Sequence, residues 1–451
     1  MKLYYFANLR LPTEKAHGVQ IMKMCHAFTA TGDQRPATSV TLVIPWRWRT
    51  RQLRGVKDVY AYYGVERNFR IVRLPSLDLY PLAQLFPFLD RFAFAVQYGT
   101  FLLSVFVYLL ISRFTRVSNH SGTPSLRHSV TSLVYTRDSR IARLAAKFTK
   151  NVFLELHTIP KSDDIEAAQK SKGIITLTQK LKEILRDGGV LAEKIIVASD
   201  GVDLAAFTLP PFQVDHSINS SPLRGEAGRG VDSNTPPQAP PQKRGGDEEK
   251  QVLRKRLGLP LDAKLIGYAG RLKTMDKEKG IPELLEAFAA LRAGDSHARL
   301  VIVGGDSGDA VIYAARMRAD GIVPYVHYVS HVSPADVPKY LKAMDVLAAP
   351  FPKSDHYAYA MSPLKIFEYM ASGIPMIASD LPSLREILTE DDAFFFEPGN
   401  AEDLALALVN VLKNPVEAAH RAANAHKKAE QYTWKKRAEN IIQFISDEVT
   451  E

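Results

Sequence analysis

A chain of 451 residues is too long for one hydrophobic core and implies two domains of ordinary size. Its 46% hydrophobic and 24% charged residues are those of a soluble globular protein, and a single cysteine, Cys25, excludes an internal disulfide and the stapled secreted scaffolds that depend on one. The formal charge of +9 sits in the first half: residues 1–212 carry 29 Lys and Arg against 16 Asp and Glu, and residues 251–451 carry 24 against 27. Such a field favours an anionic partner, whether a phosphorylated substrate, nucleic acid or an acidic membrane.

In chain order, MKLYYFANLRLPTEK reads as a strand and a polar loop without the apolar core of a signal peptide, so no export is expected. Runs at 2–7, 39–45, 132–136, 151–156, 173–178 and 193–199 read as strands, alternating with helical stretches such as 18–31 and 180–186. The second half repeats the alternation, with strands at 264–270, 299–305, 345–350 and 375–379. Two α/β domains follow, each a doubly wound parallel sheet with helices on both faces. PWRWRTRQLRG at 45–55 interleaves tryptophan with arginine, as a lipid–water interface or a phosphate-bearing acceptor would select. The uncharged stretch 92–112 is long enough to span a bilayer, but it falls where a crossover helix must run. A buried crossover helix is the first expectation and a membrane-facing one the second. Residues 115–130 read as a surface insertion, and 206–251, rich in Pro, Gly, Ser and charge, as a disordered linker.

Three stretches carry chemistry. In EKAHGVQIMKMCHAF, Gly18 stands at the turn between the first strand and its helix, where the backbone can be approached closely. In GYAGRLKTMDKEKG, a strand ends in glycine and sends Arg271, Lys273, Lys277 and Lys279 into the loop that follows, a position from which α/β sheets bind ligands and a charge that suits a diphosphate. In SPLKIFEYMASGIPMIASD, Pro363 opens a helix whose early N–H groups at Leu364 and Lys365 can hold a phosphate. Lys365 and Glu368 there are three apart, either an ordinary surface ion pair or a phosphate cation beside a carboxylate for two sugar hydroxyls. Neither an Asp-x-Asp pair nor histidines at ligand spacing suggest a metal, and nothing in the sequence carries a nucleic-acid-binding signature.

HGVQIMKMCHAF, VYTRD, ELHTIP, SDGVD, GRL…KG, SPLKIFEYMASGIPMIASDLPSLREIL and the closing TWKKRAENIIQFI together resemble glycosyltransferase family 4, the group 1 glycosyl transferases of GT-B fold. The resemblance implies two facing Rossmann-like domains: residues 1–205 on the acceptor side, 252–434 for the nucleotide-sugar, and a final helix, 435–451, crossing back to the first. It implies a metal-independent, hexosyltransferase-like enzyme that moves a sugar, with retention, from a nucleotide-diphosphate donor to a hydroxyl of a glycan, glycolipid or small molecule. Arg271 and Lys279 would grip the diphosphate, Ser362, Pro363, Leu364 and Lys365 would form the turn for phosphates and sugar, Glu368 would hold the ribose, and His157 would lie beside the reacting sugar. No cofactor is implied beyond the donor as co-substrate. A cytoplasmic location is expected, with the inner face of an acidic membrane as a peripheral docking surface. The family often pairs two glutamates eight apart; the partner of Glu368 is Ala360, which implies altered handling of the donor sugar, with Asp355 and His356 as candidate substitutes. An epimerase or hydrolase on the same fold, or a non-catalytic binding protein, would share the phosphate grip.

Overall fold

The computed structural model describes residues 1–30, 38–50, 53–114, 132–208, 245–274, 277–305 and 307–450. Among these, β1 (Lys2–Phe6), β2 (Ser39–Pro45), β3 (Arg70–Leu74), β4 (Ser132–Thr136), β5 (Val152–Leu156), β6 (Gly173–Thr176) and β7 (Ile195–Val197) form one sheet in the order β3-β2-β1-β4-β5-β6-β7. Every pairing in it is parallel. In the second half, β8 (Lys264–Ala269) is followed by a small hairpin, β9 (Lys273–Thr274) and β10 (Lys277–Glu278). β11 (Ala298–Val303), β12 (Val326–Val329), β13 (Val346–Ala349), β14 (Met376–Ser379) and β15 (Phe394–Phe396) join β8 in a second all-parallel sheet ordered β12-β11-β8-β13-β14-β15. The winding direction reverses between β1 and β4 in one sheet and between β8 and β13 in the other, and at such switch points the carboxyl ends of parallel strands leave a crevice.

Alternation along the strands supplies a core on each face. In the first sheet Leu3, Tyr5, Leu42 and Phe153 point to the side covered by the helices Ala16–Ala30 and Trp434–Thr450, while Phe6, Val43, Val134 and Leu154 meet Phe101, Val105 and Ile141 on the other. The terminal helix therefore belongs to the first core, with Ile441 and Ile445 buried beside Met22 and Phe28. It starts where the chain crosses between halves: Val202 and Thr433 form a parallel bridge, the Val202 N–H donates to the Tyr432 carbonyl at 2.8 Å, and the Trp434 N–H donates back to the Val202 carbonyl at 3.3 Å.

Two expectations change. The helix Gly245–Leu257 begins inside the stretch read as linker up to 251; the rest of that stretch from 209, and the insertion at 115–130, lie outside the described residues. The apolar stretch 92–112 does run as a crossover helix, Asp90–Phe114, but it is not a buried one: 28% of its most apolar window is enclosed. One sheet can cover one side of a helix, and among the described residues nothing lies over the other.

Truncating Ile441→Ala empties part of the core that the first and terminal helices share. It is expected to cost about 2–5 kcal/mol, read from urea unfolding with an unchanged m-value.

Candidate active site

The crevice side of the second sheet is built around one lysine. β8 ends at Gly270, whose φ of 139° is open to glycine alone, and a Cβ there would lie 3.3 Å from Lys365 Cε. Lys365 is thus seated against the strand end, and its Nζ lies 3.5 Å from the Tyr268 ring centroid and 5.0 Å from that of Phe351. Nζ is buried and has no hydrogen-bond partner among the described residues. It makes no ion pair with Glu368, so the surface-pair alternative does not describe the structure. Burial, with Lys279 adding like-charge repulsion, holds Lys365 well below the usual lysine range against the pull of Glu368. Burial and Arg271 likewise bring Lys279 down to about 8. Basic side chains that depress one another's charge inside a crevice suit an anionic ligand.

The helix Leu364–Ser372 adds its N-terminus to these cations. Its cap, Pro363, supplies no side-chain acceptor and no acidic residue stands in the first turn, so the Leu364 and Lys365 amides are unclaimed there. Ser362 accepts the Asp200 N–H at 2.8 Å across the halves, which fixes its oxygen and leaves its hydroxyl proton to donate. Burial pushes Glu368 up to about 7 despite Lys365 and Lys23 nearby. Ala360 ends a π-helical turn, His356–Ala360, and is fully buried against Leu177 and Leu181 of the first half, with Thr178 Oγ1 donating to the Tyr359 carbonyl at 2.6 Å. The position eight before Glu368 serves the seam between halves, and Asp355 at the start of this turn is exposed.

On the first sheet, His157 follows β5 and its Nε2 lies 2.6 Å from Glu155 Oε1. Burial and the Arg137 charge push His157 down to about 3, so it is a neutral imidazole whose Nε2–H donates to Glu155 and whose Nδ1 is left to accept. Glu155, 1% exposed, also accepts from Tyr135 Oη at 2.5 Å and from Arg437 Nη2 at 2.7 Å. Burial alone would raise its carboxyl, but Arg437 and His157 bring it well below the usual range. Arg437 Nε donates to the Ser199 carbonyl at 3.0 Å, so the terminal helix reaches the histidine through one carboxylate. Nearby, Arg137 Nη1 donates to Gln20 Oε1 at 2.6 Å, Gln20 donates on to Asp200, and burial pushes the Asp200 carboxyl up to about 6. His17 is also neutral, driven to about 3 by burial and by Arg137. Gly18 sits in the first turn of its helix, where a Cβ would come 2.4 Å from Thr13 Cγ2 and 2.7 Å from Tyr63 Oη, so packing inside the first half already demands glycine. Across the crevice, Lys15 has its ionisation lowered by burial and then by Arg271, which puts the two halves' cations within each other's field.

The structure therefore gathers Arg271, Lys279, Lys365 and Glu368 on one wall and His157 on the other, with Ser362 at the join. Glu155, Arg137, Asp200 and Arg437 complete the wall but are not separable by sequence reasoning. Glu155 and Arg437 are 282 residues apart, and the local sign is a glutamate in the apolar run NVFLEL, while Arg437 is one of several charged residues in WKKRAEN.

These features define a class: a GT-B protein, two parallel-sheet α/β domains with a crevice between them. Residues 263–414, in the second half of the chain, match the family described as Glycosyl transferases group 1. The chain is 27% identical over 194 residues to a phosphatidyl-myo-inositol mannosyltransferase of Mycobacterium leprae, covering 43% of this chain and 49% of that one. It is 28% identical over 209 residues to a D-inositol 3-phosphate glycosyltransferase of Corynebacterium aurimucosum, covering 45% and 48%. The matches thus span about half the length of these curated relatives. In three dimensions it resembles Anabaena Alr3699/HepE in complex with UDP-glucose (TM-score 0.64, 15% identity, 99% of this chain and 100% of that one) and a sucrose-phosphate synthase of Thermosynechococcus elongatus (TM-score 0.64, 15% identity, 100% and 99%).

Since burial leaves the Lys365 Nζ without a polar partner, Lys365→Met is expected to leave the ligand-free protein as stable as the wild type or more so. The sign with pH follows from the depressed folded value. The unfolded chain holds the Lys365 proton more tightly, so the wild type loses stability as pH falls from the ordinary lysine range toward the folded value, and the variant loses less. Unfolding curves across pH check both. Arg437→Met, by contrast, strands the Glu155 carboxylate and should cost about 3–5 kcal/mol.

Proposed function

We propose that this protein is a retaining glycosyltransferase of family 4 type that moves a sugar from a nucleotide-diphosphate donor to a hydroxyl of a glycan, glycolipid or small molecule. The observation that carries the reading is the buried, unpartnered Lys365 Nζ, within the field of Lys279 and carried on the first turn of the helix Leu364–Ser372. A diphosphate supplies the charge those groups lack. The neighbouring fold that holds UDP-glucose and the relatives named as glycosyltransferases support the same donor class.

In the reaction the bond between the anomeric carbon and the diphosphate oxygen breaks and a bond from the acceptor oxygen to that carbon forms. Charge grows on the departing phosphate, where Arg271, Lys279 and Lys365 stabilise it. With the acceptor on the same face as the leaving group, a phosphate oxygen takes the acceptor proton, and the configuration is retained. The neutral His157, oriented by Glu155, accepts from a sugar hydroxyl and does not need to carry the proton away. Glu368, as carboxylate, accepts from two ribose hydroxyls; protonation of Lys365 beside the arriving diphosphate favours that ionised form.

A thermal-shift screen of UDP, GDP, ADP and their sugars should raise the melting temperature with one base, and Glu368→Ala should abolish the shift. The reading fails if none of them shifts the wild type. Arg271→Ala should lower turnover about 10²–10³-fold with little change in folding. Because Lys279 starts near 8 and is raised by a bound diphosphate, affinity should weaken as pH rises through that value. Calorimetry in buffers of different ionisation enthalpy should show more proton uptake on binding by the wild type than by Lys365→Met.

A further inference from the structure

The exposed side of the helix Asp90–Phe114 is a continuous apolar stripe. Phe92, Ala95, Gly99, Leu103, Phe106 and Leu110 follow at spacings of three or four, a run about 27 Å long at 1.5 Å per residue, without one charged side chain. Leu103 is 63% exposed and Phe92 60%. The stripe extends past the start of the helix to Phe88, 80% exposed, and Phe86, then to the edge-to-face pair Trp46 and Trp48, whose ring centroids are 4.9 Å apart. These pieces are tied into one surface. Ser104 Oγ donates to the Pro75 carbonyl, the Leu77 N–H donates to Thr100 Oγ1, Ser76 Oγ donates to the Trp46 carbonyl, and the Trp48 N–H donates to Asp78.

A bare apolar face does not identify its partner, but the charge around this one does. From Pro45 to Ser112 the chain carries nine Lys and Arg against four Asp and Glu. Arg54, Lys57 and Arg91 are exposed, and the acidic Asp78 and Asp58 are taken up by Arg47 and Arg67. Aromatic and aliphatic side chains in the centre, tryptophan and arginine at the rim, and a basic half-molecule behind them match the polarity profile of an anionic lipid surface. The helix cannot leave the fold to span a bilayer, since Gln97 Nε2 donates to Asn8 at 3.1 Å, Tyr98 Oη donates to Asp138, and Phe101, Val105 and Leu109 fill the sheet's core. It can only lie in the interface plane. We propose that this face, from Trp46 to Ile111, docks the protein on an anionic bilayer.

The placement bears on the acceptor, and here the inference rests on the transferase reading. Trp46 and Trp48 follow the carboxyl end of β2, and Gln97 bonds Asn8, two residues past the carboxyl end of β1, so the aromatic end of the stripe lies at the crevice side of the first sheet. Arg47 in this loop acts on the ionisation of Lys15, which in turn feels Arg271 across the crevice. A hydroxyl carried on a lipid headgroup would enter between these groups without leaving the membrane.

Flotation of the intact protein with vesicles tests the docking without donor or acceptor, so its failure leaves the transferase reading standing, and loss of donor binding leaves the docking face standing. Phosphatidylcholine vesicles with and without phosphatidylglycerol are compared at low and high salt. The expected result is binding to the anionic vesicles that weakens with salt. Binding should fall about tenfold or more in Phe88→Ser/Phe92→Ser/Leu103→Ser and about tenfold in Arg54→Gln/Arg91→Gln. Both variants replace exposed side chains and should melt with the wild type. Absence of binding at low salt, equal binding to neutral vesicles, or undiminished binding by the triple variant would overturn the proposal. So would a lipid-free dimer that the triple variant dissolves, which would assign the face to a second copy.

Discussion

The buried pair between Glu155 and Arg437 is the contact on which the rest of the molecule leans. It joins the fifth strand of the first sheet to the last helix of the chain, with both side chains sealed from water. Coulomb attraction in so dry a place is large, yet so is the cost of bringing both charges there, and the net gain is small beside what breaking the pair would lose. What the pair supplies is position. Glu155 must be ionised to orient His157, and Arg437 keeps it ionised; Arg437 must be in place, and the Ser199 carbonyl and the apolar face of the terminal helix hold it. The second domain thus cannot be detached without disturbing the imidazole on the first.

The opposite wall shows the complementary strategy. Lys365 is confined without a counter-ion, between a glycine that lets the strand end approach and two aromatic rings that can only partly replace water. The fold tolerates this because the two cores are large and the helix that carries Lys365 is otherwise apolar on its buried side. A strained electrostatic arrangement sits where a ligand would relieve it, which is the ordinary relation between stability and function at a binding crevice.

Much of this is legible in the sequence. Apolar runs rich in β-branched and aromatic residues mark the central strands to within about two residues, and Lys365, Glu368, Arg271 and Lys279 stand out because cations and a carboxylate fall at a strand end and a helix start. The strands β3 and β12 escape that reading because each lies at a sheet edge, where RIVRL and VHYV need bury only part of their side chains, and β15 because its buried FFF run is only three residues long. The Glu155–Arg437 contact and the Ala360 seam are tertiary accidents of crossing, without any local period to announce them. The helix Asp90–Phe114 misleads in the other direction, since a uniformly apolar stretch says that water is unwelcome and leaves unsaid whether protein or lipid replaces it.

Val202 and Thr433 pair side by side where the chain passes from one half to the other and back. Two passes at separate corners would lock the halves as two bolts lock a plate. Two passes along one line act as the pin of a door: rotation about that line stays soft while twisting and sliding are resisted. A rotation about that line would leave both passes whole and would have to part the Thr178–Tyr359 and Asp200–Ser362 hydrogen bonds across the seam.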